Sequence, residues 1–340
     1  MWITSLTSKA QTPNAIALGN FDGLHLGHRQ VIQPIINYQN TTSQKTVVTF
    51  DPHPQEFFSG ESKKLLTPLS EKAQQLKSLG VNQLILLPFN RELAQLSPQE
   101  FVKNILIEEL KANFITVGED FRFGYERSGT AKDLQDICSQ FGIDVYITPL
   151  KTGIDNLRIS SSAIRDALSE GDMNQVIQLL GRNYTLTGTV DYGEKLGRTI
   201  GFPTANLKLS PFKLIPRQGV YSVKVFLHKY LKCSQSIPNL EDKIARGSLE
   251  YSDNISFSKP INGVMNIGTR PTVNGKRQTI EVHLLNWTDD IYGQTLTVSL
   301  EKFLRPEQKF SSLDELQKQI KIDCERALVN CTECYHNVSY

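Results

Sequence analysis

Along the first half of the chain, short continuous apolar runs alternate with segments whose apolar residues recur every three or four positions. Ala15-Ile16-Ala17-Leu18 is closed by Gly19, and from Leu26 onward Val31, Ile32, Ile35 and Ile36 keep helical spacing. Thr46 to Phe50, Gln83 to Leu87, Phe114 to Val117 and Asp144 to Thr148 read as further strands. Helix signals fall between them. Ser70 serves as a cap with Gly80 as stop; Ser97, Pro98 and Glu100 combine cap, first-turn proline and capping box for a helix reaching about Lys111; Thr130 with Asp133 opens another. Strands apolar on both faces, separated by helices, predict a parallel sheet covered on both sides.

The period changes near Gly181. Leu186–Val190, Gly219–Leu227, Gly263–Ile267, Thr279–Leu285 and Leu296–Phe303 follow one another without intervening helices, and several alternate, as in Val223, Val225 and Leu227. This predicts an antiparallel sheet or barrel. One helix closes the chain: Ser312 caps it, Glu315 completes the box, and Leu316, Ile320, Ala327 and Leu328 form its apolar face. The expected organisation is an α/β domain over 1–182, a β-barrel domain over 183–330 and a tail over 331–340, with a long polar loop at 232–259. No internal repeat is evident.

Composition narrows the picture further. The 340 residues suit two domains, and 39% hydrophobic with 21% charged residues is ordinary globular usage. Lys and Arg total 37 against 35 Asp and Glu, a net charge of +2, which gives no support to a nucleic-acid footprint. Five cysteines make no disulfide framework and fit reduced thiols. Neither a leader with a charged start and apolar core nor a run of about 18 apolar residues is present, so a cytoplasmic protein without membrane partners is expected.

Candidate chemistry concentrates in two places. The first is Gly19-Asn20-Phe21-Asp22-Gly23-Leu24-His25-Leu26-Gly27-His28, between a strand and a helix. Glycines there let the backbone approach a phosphate, and a helix N-terminus points amides at it. His25 and His28, three apart, share a face and suit neutralisation of charge developing at an α-phosphate. An ordinary tight turn with two surface histidines is the plain alternative. No Gly-Lys-Ser/Thr follows, which excludes a Walker loop. The segment resembles the HxGH signature of nucleotidylyl transferases, which implies a Rossmann-like sheet with Gly19, Phe21, Gly23 and Gly27 at ATP and His25 and His28 catalytic. Arg158-Ile159-Ser160-Ser161-Ser162-Ala163-Ile164-Arg165 resembles their second signature. By that resemblance Ser161, Ser162 and Arg165 bind the β- and γ-phosphates, with Arg165 also catalytic; as residues alone, the serines would equally be a helix cap.

Phe50-Asp51-Pro52-His53-Pro54 and Val117-Gly118-Glu119-Asp120-Phe121-Arg122-Phe123-Gly124 each follow a strand. Both are similar to segments near the flavin and nucleotide sites of the bacterial bifunctional riboflavin kinase/FAD synthetases, which implies Asp51, His53, Asp120 and Phe123 at the flavin. Phe57, Phe58, Phe121 and Phe123 can stack a flat ring or fill a core.

The second place is Gly193-Glu194-Lys195-Leu196-Gly197-Arg198-Thr199-Ile200-Gly201-Phe202-Pro203-Thr204-Ala205-Asn206. The loop is flexible and cationic, and Thr and Asn oxygens are hard ligands suited to Mg²⁺ on nucleotide phosphates. It resembles the PTAN motif of riboflavin kinases, a compact β-barrel family. The resemblance implies Thr204 and Asn206 as magnesium ligands, Gly193, Lys195, Gly197 and Arg198 at ATP, and Glu281 as base for the riboflavin 5′-hydroxyl. Alternation in Thr279–Leu285 also permits Glu281 a plain solvent face. Gly263–Thr272 and Arg305–Phe310 match the same family, placing Arg305 at flavin or ADP. In the tail, Cys331 and Cys334 make a Cys-x-x-Cys with too few neighbouring ligands for structural zinc.

Together these imply a Rossmann-like nucleotidyltransferase domain followed by an antiparallel riboflavin kinase barrel with a C-terminal helix. The expected reactions convert riboflavin to FMN and FMN to FAD with ATP as co-substrate and Mg²⁺ as cofactor. One active module, or a flavin- or nucleotide-sensing protein, are the other readings. A class I aminoacyl-tRNA synthetase shares the HxGH logic, but the β-rich second half carries no helical anticodon domain.

Overall fold

A computed structural model of the chain describes residues 1–150, 158–191, 201–230, 244, 247–252, 255–272 and 275–333. It forms two compact units, one of Met1–Ser161 with Gln235–Asp253 and one of Ser162–Ser234 with Asn254–Tyr340.

The first unit is a doubly wound α/β sheet. Its strands are β1 (Trp2–Thr4), β2 (Asn14–Leu18), β3 (Gln44–Asp51), β4 (Gln83–Pro88), β5 (Ala112–Gly118), the short hairpin β6 (Arg122–Phe123) and β7 (Gly129–Thr130), and β8 (Asp144–Thr148). The parallel order is β1-β4-β3-β2-β5-β8. The helices are α1 (Leu26–Ile36), α2 (Pro54–Ser59), α3 (Leu69–Ser78), α4 (Arg91–Gln95), α5 (Pro98–Glu100) and α6 (Ala131–Ser139). The continuous apolar run in β2 is explained by burial on both sides. Ile16 and Leu18 join one core beneath α6, while Ala15 and Ala17 face α1 and α3 in the other. At the amino ends of the strands a buried polar network fixes the register: Thr46 Oγ1 and Gln83 Nε2 donate to Asn14 Oδ1 at 2.6 and 2.9 Å.

The capping boxes at Ser97/Glu100 and Thr130/Asp133 form as expected. Beyond α5 the chain continues as a π-helix, Phe101–Glu109, ending with Leu110 N donating to Ile105 O at 3.0 Å. Ser70 is not a cap. Pro68, with its fixed φ of −53°, takes that position and starts α3 two residues earlier.

In the second unit, helices α7 (Ser161–Glu170) and α8 (Met173–Leu180) precede β9 (Tyr184–Asp191), β10 (Ala205–Leu209) and β11 (Gly219–Tyr230). After β11 the chain makes β12 (Ser248–Glu250), β13 (Ile255–Phe257), β14 (Ile261–Thr272), β15 (Gly275–Leu284) and β16 (Thr295–Arg305), and ends in α9 (Leu313–Glu333). The order β11-β14-β15-β10-β9-β16 closes through β11–β16 pairing into a six-stranded antiparallel barrel, with β13 added on β11. Closure removes the sheet edges. Helix α9 packs outside on Val220 and Val264 through Ala327. Its face differs from the expected apolar repeat: Leu328 is 42% exposed, and Asp323 turns inward to Arg305 instead. The helix also runs past 330 and includes Cys331; Cys334 lies outside the described residues.

The expected long loop at 232–259 is corrected at both of its described parts. β13 extends the barrel, and β12 leaves it to pair antiparallel with β1 on the sheet of the first unit. Ile244 and Tyr251 flank β12 and are buried in that unit's core, and Tyr251 exchanges backbone hydrogen bonds with Met1 at 2.8 and 3.0 Å. Apolar anchors within a polar stretch make the strand favourable there.

Candidate active sites

In the first unit, β2 pairs with β3 on one side and β5 on the other, so the chain leaves the sheet at a topological switch point. The Gly19–His28 segment follows directly. Its backbone enters the left-handed region at Phe21 (φ 50°), Gly23 (φ 94°) and Leu24 (φ 44°). His25 caps α1, its Nδ1 accepting the His28 backbone N–H at 3.2 Å, so a proton on the neutral ring resides on Nε2. The two imidazoles stack with centroids 3.5 Å apart, and the edge of Phe21 meets His28 at 5.3 Å. A Cβ on Gly27 would stand 3.2 Å from the His25 ring, so any larger residue there presses on that ring. Ser161 Oγ donates to Asp22 O at 2.7 Å, joining the second signature to the first loop.

Asp51 ends β3, and His53 caps α2 by accepting from Gln55 N, with Glu56 returning the capping-box bond. Loss of water around the Asp51 carboxyl raises its pKa, against the pull of the Lys72 charge. Dehydration lowers the His53 pKa, and Lys63 adds to the effect. Beside them, Phe57 and Phe58 meet Phe89 edge-to-face at 5.4 and 5.8 Å, and Phe50 does so at 5.8 Å. Phe58 is 73% exposed, so this aromatic cluster offers a surface for a flat ring. Phe89 carried no sequence signal.

Asp120 pairs with Arg158 in the same unit. Phe123 is 5% exposed and packs with Phe101 in the core, with Phe121 stacked over it at 5.7 Å. Ser162 and Arg165 lie on α7, one exposed and the other half-buried.

In the second unit, one cross-strand row runs Ala205, Val282, Met265, Tyr221, all buried in the barrel. The adjacent row therefore points outward. It places Asp191, Asn206, Glu281 and Asn266 side by side on four neighbouring strands. Glu281 thus stands on the outer face beside Asn206, so the plain alternation of Thr279–Leu285 is also what brings these two residues together. Asn266, which no single residue signal had marked, donates to Glu307 at 3.4 Å. The entry to β10 is fixed by His283, whose Nδ1 meets Pro203 O at 2.8 Å and whose ring faces Phe202. Thr204 lines an open cleft of about 410 Å³ with Leu284, Trp287, Asp289 and Tyr292. Arg305 is bound to Asp323 of α9, Nε at 3.0 Å and one terminal nitrogen at 2.8 Å from Oδ2, with 12% and 2% side-chain exposure. Gly193, Lys195, Gly197 and Arg198 lie outside the described residues.

Among the described residues no three His, Cys, Asp or Glu side chains converge as metal ligands. A cation beside Thr204 and Asn206 has hard oxygen donors on the protein and would draw the rest from phosphates or water, a donor set that fits Mg²⁺.

Two family models match the chain in order, FAD synthetase over residues 7–163 and riboflavin kinase over 180–330. A bifunctional riboflavin kinase/FMN adenylyltransferase of Escherichia coli K12 is 38% identical over 94% of each chain. The chain belongs to this bifunctional family. Another riboflavin kinase/FMN adenylyltransferase, from Listeria monocytogenes, is 36% identical over 91% of this chain and 89% of its own. A crystal structure described as a macrolide-efflux protein of Streptococcus pneumoniae matches with a TM-score of 0.78 at 28% identity, covering 95% of this chain and 97% of that one. No helix among the described residues is long and apolar enough to cross a membrane. The two riboflavin kinase/FMN adenylyltransferase motif sets fall on separate architectures, the first at the sheet's switch point and the second on the barrel's outer row.

Proposed function

We propose that this chain makes FAD from riboflavin in two steps. The barrel transfers the γ-phosphoryl group of ATP to riboflavin, giving FMN and ADP; the α/β domain transfers AMP from ATP to FMN, giving FAD and pyrophosphate. The observation that carries the reading is the pair of assembled sites: stacked histidines at the head of α1, and Asn206 beside Glu281 on adjoining strands. Both steps are displacements at phosphorus, in which positioning and charge neutralisation supply most of the catalysis.

In the kinase step Glu281 accepts the proton of the riboflavin 5′-hydroxyl. Thr204 and Asn206 would hold Mg²⁺, which when bound neutralises phosphate charge, and Gly193, Lys195, Gly197 and Arg198 bind ATP. In the adenylyl step His25 and His28 face the α-phosphate, Gly19, Phe21, Gly23 and Gly27 shape the loop around ATP, and Ser161, Ser162 and Arg165 take the outer phosphates. Asp51, His53 and Asp120 orient the flavin, with Phe123 supporting Phe121 beneath it; Arg305 fixes the barrel's flavin side through Asp323. The two catalytic modules are 1–182 and 183–330, followed by the 331–340 tail, and the enzyme works in the cytoplasm.

Incubation with riboflavin, ATP and Mg²⁺, followed by chromatography of the flavins, tests the reading. FMN and FAD both accumulate; absence of both refutes it. His28→Ala abolishes FAD formation and spares FMN, whereas Asn206→Ala stops FMN formation and still converts supplied FMN. A folded variant that lost both activities would break the division between modules.

A further inference from the structure

The Gly19–His28 loop is strained at two non-glycine residues and is held from below by a side chain that belongs to neither motif. Lys72 of α3 is 8% exposed, and its Nζ donates to Asn20 O at 3.0 Å. Thr49 Oγ1 of β3 donates to the same carbonyl at 3.0 Å. Asp22 is anchored on both sides of its backbone: Thr67 N donates to its Oδ1 at 3.1 Å, and Ser161 donates to its carbonyl oxygen. Phe21, with φ 50°, lies between these two fixed residues. A left-handed conformation at a bulky residue persists only where the surroundings over-determine it, and the bonds at Asn20 and Asp22 do so. Phe21 is 1% exposed and its ring edge supports His28.

A buried ammonium is a costly way to hold one carbonyl. Burial lowers the Lys72 pKa, while the carboxylates of Asp22 and Asp51 favour its charged form. The lysine thus holds the loop directly, and the two acids that favour its charge, Asp22 and Asp51, belong to the loop and to the end of β3. A purely apolar core would ask for leucine or methionine here.

We propose that Lys72 is a positioning residue for adenylyl transfer, holding Asn20 so that Phe21 keeps His28 in its catalytic place, with Thr49 as its partner on the shared carbonyl. The inference rests on the assignment of this loop to the FMN-to-FAD step. Lys72 does not touch substrate; it acts through the loop.

The test uses the full chain, Lys72→Met and Thr49→Val singly and together, with hydrogen exchange across β2, β3 and α3 as the control for folding of the first unit. Lys72→Met lowers kcat for FAD formation about 100-fold, the scale set by small misplacements of reacting groups, and leaves KM for FMN within about twofold because ground-state binding is retained. Thr49→Val lowers it about tenfold. Because both side chains act on one carbonyl, the double variant loses less than the product of the single losses. Riboflavin phosphorylation stays at the parental rate. Lys72→Met with parental FAD formation overturns the proposal, as do losses that multiply. If Lys72→Met unfolds the first unit, Thr49→Val decides alone: a loss of FAD formation with parental hydrogen exchange supports the clamp and a parental rate refutes it. A parent that makes no FAD from FMN and ATP overturns instead the assignment of the loop.

Discussion

His228 shows how far burial alone moves a side chain in this protein. Its Nε2 meets Thr297 Oγ1 at 2.8 Å and its ring is edged by Phe257 at 5.0 Å. Burial lowers its pKa from the ordinary 6.5 to about 4. The folded barrel therefore takes up this proton less readily than the unfolded chain. The stabilisation is complete above pH 6.5 and is lost as pH falls toward 4. At roughly 1.4 kcal/mol per pH unit the loss reaches about 3 kcal/mol. Urea unfolding of the parent and His228→Gln between pH 7 and pH 4 measures it: the parent's stability falls more steeply, by about that amount. Parallel curves would show that His228 titrates alike in both states. Other residues owe their roles to a partner rather than to burial. Arg305 is held by Asp323 and His25 by the His28 backbone, so each is oriented before any substrate arrives.

Among the elements, β12 departs most from local expectation. Three residues of a polar stretch gain a strand because β1 offers an unpaired edge and because Ile244 and Tyr251 find an apolar core. Burying two such side chains is worth about 3–5 kcal/mol. Replacing residues 235–253 by a short Gly-Ser linker therefore lowers the stability of the first unit by about that amount and uncovers the β1 edge, which invites association between chains. Hydrogen exchange on β1 and light scattering check both effects; unchanged protection of Trp2–Thr4 would show the strand to be incidental. The capped helices stand at the other extreme. Ser97 and Thr130 form their boxes as written, since the bonds that make them span only three residues.

At the scale of the whole molecule, the division between units runs between Ser161 and Ser162, so α7 and α8 belong by their contacts to the barrel unit. The matched families end and resume at 163 and 180, leaving most of these helices to neither. Arg217 ties α7 to the barrel, its N–H bonding Leu168 O at 3.0 Å and its guanidinium Glu170 O at 2.9 Å. Val176 of α8 is fully buried. An uncompensated charge there costs several kcal/mol, so Val176→Asp weakens the unit that makes FMN. The expected result is loss of riboflavin phosphorylation at physiological temperature, with a smaller loss in conversion of supplied FMN because Ser162 and Arg165 lie on α7 of the same unit. Loss of FAD formation with FMN formation retained would assign α8 to the sheet.

Much of this was legible because it is local. A strand apolar on both faces, such as Ala15–Leu18, declares a covered parallel sheet wherever it is placed, and a loop of glycines before a helix declares a close backbone turn by its conformational freedom. The half-to-half change of period announced an antiparallel sheet or barrel for the same reason, and motif resemblance singled out Thr204, Asn206 and Glu281. The tertiary structure decided what depends on residues distant in the chain. Asn266 joins Glu281 only through strand pairing across the barrel, and Lys72 reaches Asn20 only when α3 packs under the loop. β12, which follows β11 in sequence, belongs to the sheet of the first unit because an edge and an apolar core are available there. Sequence determines the elements and their chemistry, since those follow from neighbours a few residues apart; register, closure and burial set which of them meet, since only packing brings distant side chains within reach.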